Sequence, residues 1–229
     1  MAIVKLAFAG EKIEFHGKYH QLPLPGGEGK ALRLSQPSNS KIPIYLATLK
    51  PRALEYTGAV ADGWLGTSFT PEHAAAHLDY LRRGAERAGR SLADIEIEVG
   101  GTVAFGDDLE ALVEPLKPAM AFTLGAMGSA TTNFYNDAFK RGGWDAIARE
   151  VQRLWVAGKR PEAIAKVPSG MVVQANLLGN SEMVRERIRA YKTAGVTRLR
   201  VGPVGRDLRE KLTTLGKVME LVHAINEGS

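Results

Sequence analysis

The residues best suited to chemistry lie where predicted strands end and helices begin. The first such place contains Ala47, Thr48, Leu49 and Lys50, directly after the apolar segment 43–46. Backbone N–H groups at the start of a helix, with a lysine beside them, favour an anion such as phosphate. The segment therefore predicts an anion site. The alternative is a capped helix with a solvated lysine.

The end of the last predicted strand is a second candidate. Gly202 allows close approach of a backbone or a ligand, and Arg206 can clamp a phosphate or carboxylate. Arg198 and Arg200 share one face of that strand, because side chains alternate along a strand. If that face points into a barrel, Arg200 needs an anionic partner, since a lone buried charge is costly. The alternative is surface charge on an exposed or edge strand.

Two further strand positions bear on a ligand site. Thr67 and Ser68 end another predicted strand, where ligands bind in parallel α/β proteins. Their alternative role is a Ser/Thr turn whose hydroxyls form hydrogen bonds with the backbone at the start of the following helix. Gly100 and Gly101 stand side by side inside a predicted strand, which indicates either a bulge or close approach by another backbone or a ligand.

The histidines and the other glycines are weaker candidates. His73 and His77 are four residues apart on a predicted helix, but no glutamate or third histidine completes a metal signature, so we expect ordinary helix surface. His16 and His20 flank a predicted hairpin turn, where a loop role is expected. The glycine-rich segment 26–29 precedes no helix and is weak as a phosphate cradle. No nucleophile elbow, P-loop or Rossmann fingerprint occurs.

The elements that position these residues form an α/β pattern. Apolar segments predict four main strands, each followed by a helix or helical region: 44–48, 64–67, 97–105 and 199–202. Such an order makes a parallel sheet with right-handed crossovers. Residues 11–42 read as a hairpin and a loop connection, and residues 107–168 as a helical insertion. Four strands are half of a (β/α) TIM-type barrel.

Local signals define several element ends. Residues 2–10 are typical of the end of a helix that stops at Gly10. Thr70 is the predicted cap of a helix over residues 70–88, and Ser181 the predicted cap of a later helix. Asp107 and Asp108 are expected to cap the first helix of the insertion.

Composition limits the function classes. The 229 residues carry a net charge of +5, but basic and acidic residues are interspersed, which argues against nucleic-acid binding. The absence of cysteine excludes disulfides and thiolate metal sites. No apolar run approaches the ~20 residues that span a bilayer. We therefore expect a cytoplasmic protein that acts on a small molecule and does not contact membranes.

Three segments, in order, resemble the C-terminal half of the luciferase-like monooxygenase family, of the coenzyme F420-dependent oxidoreductase type. They are the hairpin at 14–20, the strand–helix–strand unit at 43–67 and the closing segment at 179–203. The resemblance implies a single domain over residues 1–229 that forms a partial barrel. It also implies hydride transfer at F420 or, as the alternative, FMN, to an unknown small organic substrate. The protein's part is to bind and orient the ring.

The resemblance places several of the candidate residues. In the family, the turn at 47–50 passes close to the cofactor and is often glycine-rich, whereas Leu49 and Lys50 make it bulkier here. Thr67 and Ser68 match the position where the family often contacts the substrate or the cofactor tail. Gly202 and Arg206 complete the candidate cofactor-binding set.

A truncated barrel has consequences for partners. We expect open sheet edges and an exposed apolar inner face, both of which are aggregation hazards. A second copy of the chain, a partner subunit or a rearranged helical insertion at 115–168 would cover them. The alternative function is a non-catalytic half-barrel remnant or subunit that binds an anionic ligand or a partner.

Overall fold

The computed structural model describes residues 1–27, 29–129 and 131–227. The chain divides into two compact units, residues 1–44 and residues 45–229. Within the predicted glycine-rich segment at 26–29, position 28 lies outside the described residues. The prediction of one domain, with a connection at 11–42 and an insertion at 107–168, stays a prediction.

The first unit contains one short helix and one hairpin, namely α1 (Ala2–Phe8), β1 (Phe15–His16) and β2 (Gln21–Leu22). The two strands are antiparallel, as predicted. The N–H of Gly17 donates to the carbonyl of His20 at 2.9 Å, so the turn runs from 17 to 20. The predicted turn at His16 and Gly17 is therefore wrong by one residue, because His16 is still paired in β1.

Within the described residues, the second unit is built on a parallel sheet of five strands, one more than the sequence predicts. In chain order they are β3 (Tyr45–Leu46), β4 (Gly63–Leu65), β5 (Glu96–Phe105), β6 (Leu177–Gly179) and β7 (Arg198–Pro203). All pairings are parallel, which confirms the predicted α/β class. The short β6 was not predicted.

The long strand β5 organises this sheet. It pairs with β4 at residues 96–98, with β7 at residues 98–103 and with β6 at residues 103–105. Within the described residues, β3 pairs only with β4 and β7 only with β5. The strand β6 likewise pairs only with β5, so β3, β6 and β7 each have an unpaired edge within the described residues, in agreement with the open sheet edges that the sequence predicts.

Four helices bury one face of the sheet: α2 (Pro51–Val60), α3 (Ala75–Arg87), α10 (Ser181–Thr193) and α11 (Leu208–Glu227). Ile97 and Val99 alternate along β5 and pack into this core together with Trp64 of β4. Burial of such side chains stabilises each by roughly 1.5–3 kcal/mol. The alternating apolar side chains that predict the strand therefore also pack against the helices.

The opposite face of the sheet is polar, which corrects the predicted apolar inner face. Arg198 forms an ion pair with Glu96 at 2.6 Å, and the Tyr45 hydroxyl donates a hydrogen bond to the same carboxylate. Arg200 lies opposite Gly100 in the register of β5 and β7. Because period-two alternation sends the apolar residues to the helices, charged residues occupy the other face.

Within the described residues, the chain between β5 and β6 forms six α-helices: α4 (Leu109–Val113), α5 (Lys117–Ala126), α6 (Phe134–Phe139), α7 (Asp145–Val156), α8 (Arg160–Ala165) and α9 (Ser169–Ala175). They have a core of their own. At its centre, the amide of Asn136 donates to the carbonyls of Leu124 and Ala148 at 2.8 and 2.7 Å. These two bonds join three of the helices.

Helix caps follow the predictions in part. Asp108 caps α4 by accepting from the N–H of Ala111 at 3.1 Å. Asn180, rather than Ser181, caps α10. Thr70 precedes a 3₁₀ turn at Pro71–His73, but its side chain makes no capping bond, so that prediction is wrong. The helix predicted at 70–88 is this turn followed by α3.

Among the residues that the structure describes, no helix is both long and apolar enough to cross a bilayer. The cytoplasmic location stays a prediction.

Candidate ligand site at the strand ends

A pocket of about 570 Å³ opens at the carboxyl ends of the parallel strands. Its lining comes from the segments after β4, from β5 and β7, from α5, from the start and end of α6, and from the end of α9. Ligands of parallel α/β proteins bind at this end of the sheet. Its size falls in the usual range of small-molecule sites.

Paired glycines on β5 bring the backbones at this pocket close together. A Cβ on Gly100 would overlap the carbonyl of Arg200, and one on Gly101 would overlap the carbonyl of Ala175. The pairing of β5 with β7 runs without a skipped residue through both glycines. Close backbone approach is therefore the reason for this pair, and the alternative of a bulge is wrong.

Asn176 fixes this part of the pocket. Its side-chain oxygen accepts from the N–H of Thr102 at 2.9 Å, and its amide donates to the carbonyl of Val172 at 2.7 Å. A single side chain thus joins the end of the insertion to β5. Both Thr102 and Asn176 line the pocket.

Thr67 and Ser68 line the pocket, and both lie on the segment that follows β4. Ser68 has a φ of 52°, a left-handed conformation that costs a non-glycine residue energy and is enriched at functional sites. Within the described residues, neither hydroxyl makes a hydrogen bond, so the alternative of a self-satisfied turn lacks support. Both hydroxyls are available to a ligand.

Gly202 also lines the pocket, beside Arg200 and Val201 of the same strand. A Cβ at Gly202 would have only the carbonyl oxygen of Gly101 near it, at 4.0 Å. The position is therefore open, and a larger side chain here would fill space that a ligand can use.

Arg200 differs from its neighbour Arg198, although both point to the same face of β7. Arg198 is paired with Glu96 at 2.6 Å and lies over the ring of Tyr45 at 5.6 Å. Arg200 donates one bond, at 3.3 Å, to the carbonyl of Gly66. Among the described residues, no carboxylate lies within ion-pair distance of it. Arg200 is exposed on the edge strand β7, so it is not a lone buried charge, and the alternative of surface charge on an edge strand is confirmed.

The segment 47–50 does not line this pocket. The hydroxyls of Thr48 and Thr57 are 2.7 Å apart, and the carbonyl of Thr48 accepts from the indole of Trp64 at 2.9 Å. Ala47 is exposed. These contacts hold the turn to α2 and β4.

Contacts to the insertion hold the second half of that turn. The carbonyl of Leu49 accepts from the guanidinium of Arg141 at 2.7 Å. The ammonium of Lys50 lies 4.0 Å from the centre of the Phe134 ring, in a cation–π contact. Burial lowers the pKa of Arg141. The sequence offered no signal for Arg141, because only the fold brings it to this turn.

Arg206 lies at a separate pocket of about 750 Å³. Its Nε donates to Glu210 at 2.8 Å, and the same contact lowers the pKa of the Glu210 carboxyl. An intrachain carboxylate thus already pairs this guanidinium. The structure separates Arg206 from Thr67, Ser68 and Gly202, which it brings together.

The residues that sequence reasoning missed come from the insertion. Leu116, Met120 and Phe139 make one wall of the first pocket apolar, and Tyr135 adds a hydroxyl. Their positions depend on how the insertion packs over the sheet. No local pattern in the sequence encodes that packing.

His77 is buried, with 1% of its surface exposed, so the prediction of ordinary helix surface is wrong for this residue. It packs against Trp64 and Phe69, with ring centres 5.4 and 6.0 Å away, and neither ring nitrogen has a hydrogen-bond partner among the described residues. Burial lowers its pKa to about 4, with a contribution from the charge of Arg141. No group of three or more acidic or histidine side chains in the described part of the chain is arranged to hold a metal.

The sequence model described as luciferase-like monooxygenase matches residues 1–198. The chain belongs to this family, which confirms the resemblance found from its three segments. The fold and the pocket position agree with membership, because the sheet is parallel and the pocket lies at its carboxyl edge.

Curated relatives carry more specific names. A Mycobacterium tuberculosis protein named as a coenzyme F420-dependent oxidoreductase is 33% identical over 203 residues, which are 85% of this chain and 58% of the relative. The 5,10-methylenetetrahydromethanopterin reductase of Methanopyrus kandleri is 26% identical over 210 residues, or 91% of this chain and 57% of the relative. The chain therefore spans somewhat more than half the length of these relatives.

A solved structure shares the fold. The coenzyme F420-dependent tetrahydromethanopterin reductase from Methanopyrus kandleri superposes with a TM-score of 0.70 at 22% identity, over 96% of this chain and 58% of that one. At this identity the likeness shows the fold alone.

Proposed function

We propose that this chain forms part of an F420-dependent oxidoreductase and that the pocket at the strand ends takes part in its cofactor and substrate site. FMN is the alternative cofactor. The observation that carries the proposal is a pocket with glycines on one side and an apolar wall on the other, at the edge where this fold binds ligands. The names of the relatives support the choice of F420.

The pocket residues fit a planar ring. The open position at Gly202 leaves room beside the sheet, and Met120 and Phe139 offer apolar surface opposite. Bound deazaflavin or flavin supplies hydride transfer to or from a small organic substrate. The part of this chain is to bind the ring against the glycines, to orient it with the hydroxyls of Thr67 and Ser68, and to exclude water with the insertion.

Strands outside these 229 residues complete the site in this proposal. The edges of β3 and β7 are open, and the polar face between them carries Tyr45, Glu96 and Arg198. Unpaired strand edges form hydrogen bonds with any strand that can reach them. A second copy of the chain or a partner subunit supplies those strands.

The test is a fluorescence titration of the purified chain with F420 and, separately, with FMN, together with its mass in solution. We expect F420 to bind to a dimer or larger assembly. Met120→Trp fills the pocket and should weaken F420 binding about tenfold or more, because the ring loses space. The matched control is Met219→Trp, because Met219 is 59% exposed on α11 and lies outside the pocket.

Two results would reject the proposal. In one, neither cofactor binds even to a dimer or larger assembly of the chain, so these residues do not form a cofactor site. In the other, Met120→Trp, still folded by circular dichroism, binds F420 as tightly as Met219→Trp does.

A further inference from the structure

We propose that the substrate of this site carries an anionic group, most simply a carboxylate, which binds to Arg200. This inference rests on the proposed function and adds a substrate class to it. A small organic acid with an apolar body is the ligand that the pocket residues describe.

The first argument is the unused hydrogen-bonding capacity of Arg200. A guanidinium has five N–H donors in a fixed planar fork, which matches a carboxylate with two parallel bonds. The structure gives Arg200 one long bond, from Nη2 to the carbonyl of Gly66 at 3.3 Å. That bond directs the side chain toward the segment before Thr67 and leaves most of the fork available.

The second argument is the contrast with Arg198, which is two residues earlier and on the same strand face. The carboxylate of Glu96 neutralises Arg198, and Tyr45 donates to that carboxylate as well. Arg200 lines the pocket, whereas Arg198 does not. Of these two arginines, the one without a protein carboxylate is the one at the pocket.

The third argument is the distribution of polarity in the pocket. Thr67, Ser68 and Thr102 place hydroxyls in the same lining as Arg200. Leu116, just before α5, and Ala119 and Met120 of α5 contribute apolar surface, and the Thr123 hydroxyl of α5 donates to the carbonyl of Ala119 at 2.9 Å. A ligand that satisfies both sides has one charged end and one apolar body. A neutral apolar ligand would leave the donors of this exposed guanidinium to water.

The test uses benzoate as a small apolar acid and benzyl alcohol as its neutral counterpart. Their affinities for the full chain are measured by ligand-observed NMR without any cofactor. We expect benzoate to bind about tenfold or more tightly than benzyl alcohol, as charge-assisted hydrogen bonds imply. Arg200→Met should remove this preference.

The matched control is Arg198→Met, which removes the same charge from the same strand face outside the pocket. It should keep the preference for benzoate. Equal binding of the two probes to the unaltered chain would overturn the proposal. An equal loss of the preference for benzoate in both variants would also overturn it, because the preference would then come from net charge. Thermal unfolding of both variants shows that they are folded.

A titration with F420 separates this inference from the proposed function. If F420 fails to bind but the binding of benzoate still depends on Arg200, the proposed acid site is supported and the proposed cofactor site is rejected. If Arg200→Met loses F420 binding and leaves benzoate binding unchanged, the anion that Arg200 holds belongs to the cofactor, and the substrate proposal is wrong.

Discussion

A buried histidine with two unpartnered nitrogens is unusual, because buried polar groups generally find hydrogen bonds. The environment of His77 is aromatic, and its imidazole packs against both Trp64 and Phe69. Such a site tolerates the neutral ring far better than the cation. His77 therefore makes the stability of the fold depend on pH.

The direction of this pH dependence follows from the two pKa values of His77, about 4 in the folded chain and 6.5 as the ordinary value. Between these values the unfolded state binds more protons, so the free energy of unfolding falls as the pH is lowered from about 6.5 to about 4. The loss due to His77 is roughly 2–3 kcal/mol. Urea unfolding of the natural chain and of His77→Leu, from pH 7.5 to 4, measures it.

We expect the free energy of unfolding of His77→Leu to fall by roughly 2–3 kcal/mol less than that of the natural chain between pH 7.5 and pH 4. Equal slopes for the two proteins would show that His77 titrates normally and is not buried as described. Carboxylates such as Glu55, whose pKa its partner Arg87 lowers, are present in both proteins and cancel in the comparison.

At the scale of elements, α2 and α3 cross at two glycines. A Cβ on Gly58 would overlap the carbonyl of Leu81, and one on Gly84 would overlap the carbonyl of Glu55. The absence of side chains lets the two backbones touch. This pair of helices covers β4, and the segment that follows β4 carries Thr67 and Ser68.

Gly84→Ala should destabilise the chain by roughly 1–3 kcal/mol, because backbone atoms of α2 must move to admit the methyl group. The control is Gly216→Ala on α11, where a Cβ would meet nothing within 4 Å. Gly216→Ala should stabilise the chain by up to about 1 kcal/mol, because alanine has a higher helix propensity than glycine. Chemical denaturation of both variants checks this. A Gly84→Ala protein as stable as Gly216→Ala would refute the close crossing.

Much of this element level could be predicted from the sequence. Alternating apolar residues indicated β5, and the adjacent glycines within it indicated either a bulge or a close approach, of which the structure shows the close approach. The burial of His77 had a signal that was not used: on α3 it shares the spacing of the buried Leu81 and Gly84. The strand β6 was missed because its three residues directly follow a helix with apolar residues of its own.

The candidate site could be predicted only where it belongs to the sheet. Thr67, Ser68 and Gly202 were found because strand ends are recognisable and ligands bind there. Met120, Phe139 and Asn176 were not found, because tertiary packing of the insertion brings them to the pocket. The polar inner face was not predicted, because the charged residues of β5 and β7 were not assigned to the sheet face opposite the apolar residues that face the helices.

At the scale of the whole molecule, the described residues have a family fold, open sheet edges and a pocket beside a polar face. The chain spans 58% of the length of the M. tuberculosis relative. In the proposed function, the pocket binds the cofactor and further strands pair with the open edges.

The most direct test is backbone hydrogen exchange of the full chain with and without saturating F420. We expect slower exchange in three separate segments that meet at the pocket, residues 66–69, 100–102 and 200–202. Exchange around Arg206 should stay the same, since Arg206 lies at the other pocket. Unchanged exchange in the three segments, or protection only around Arg206, would show that F420 does not bind at this pocket.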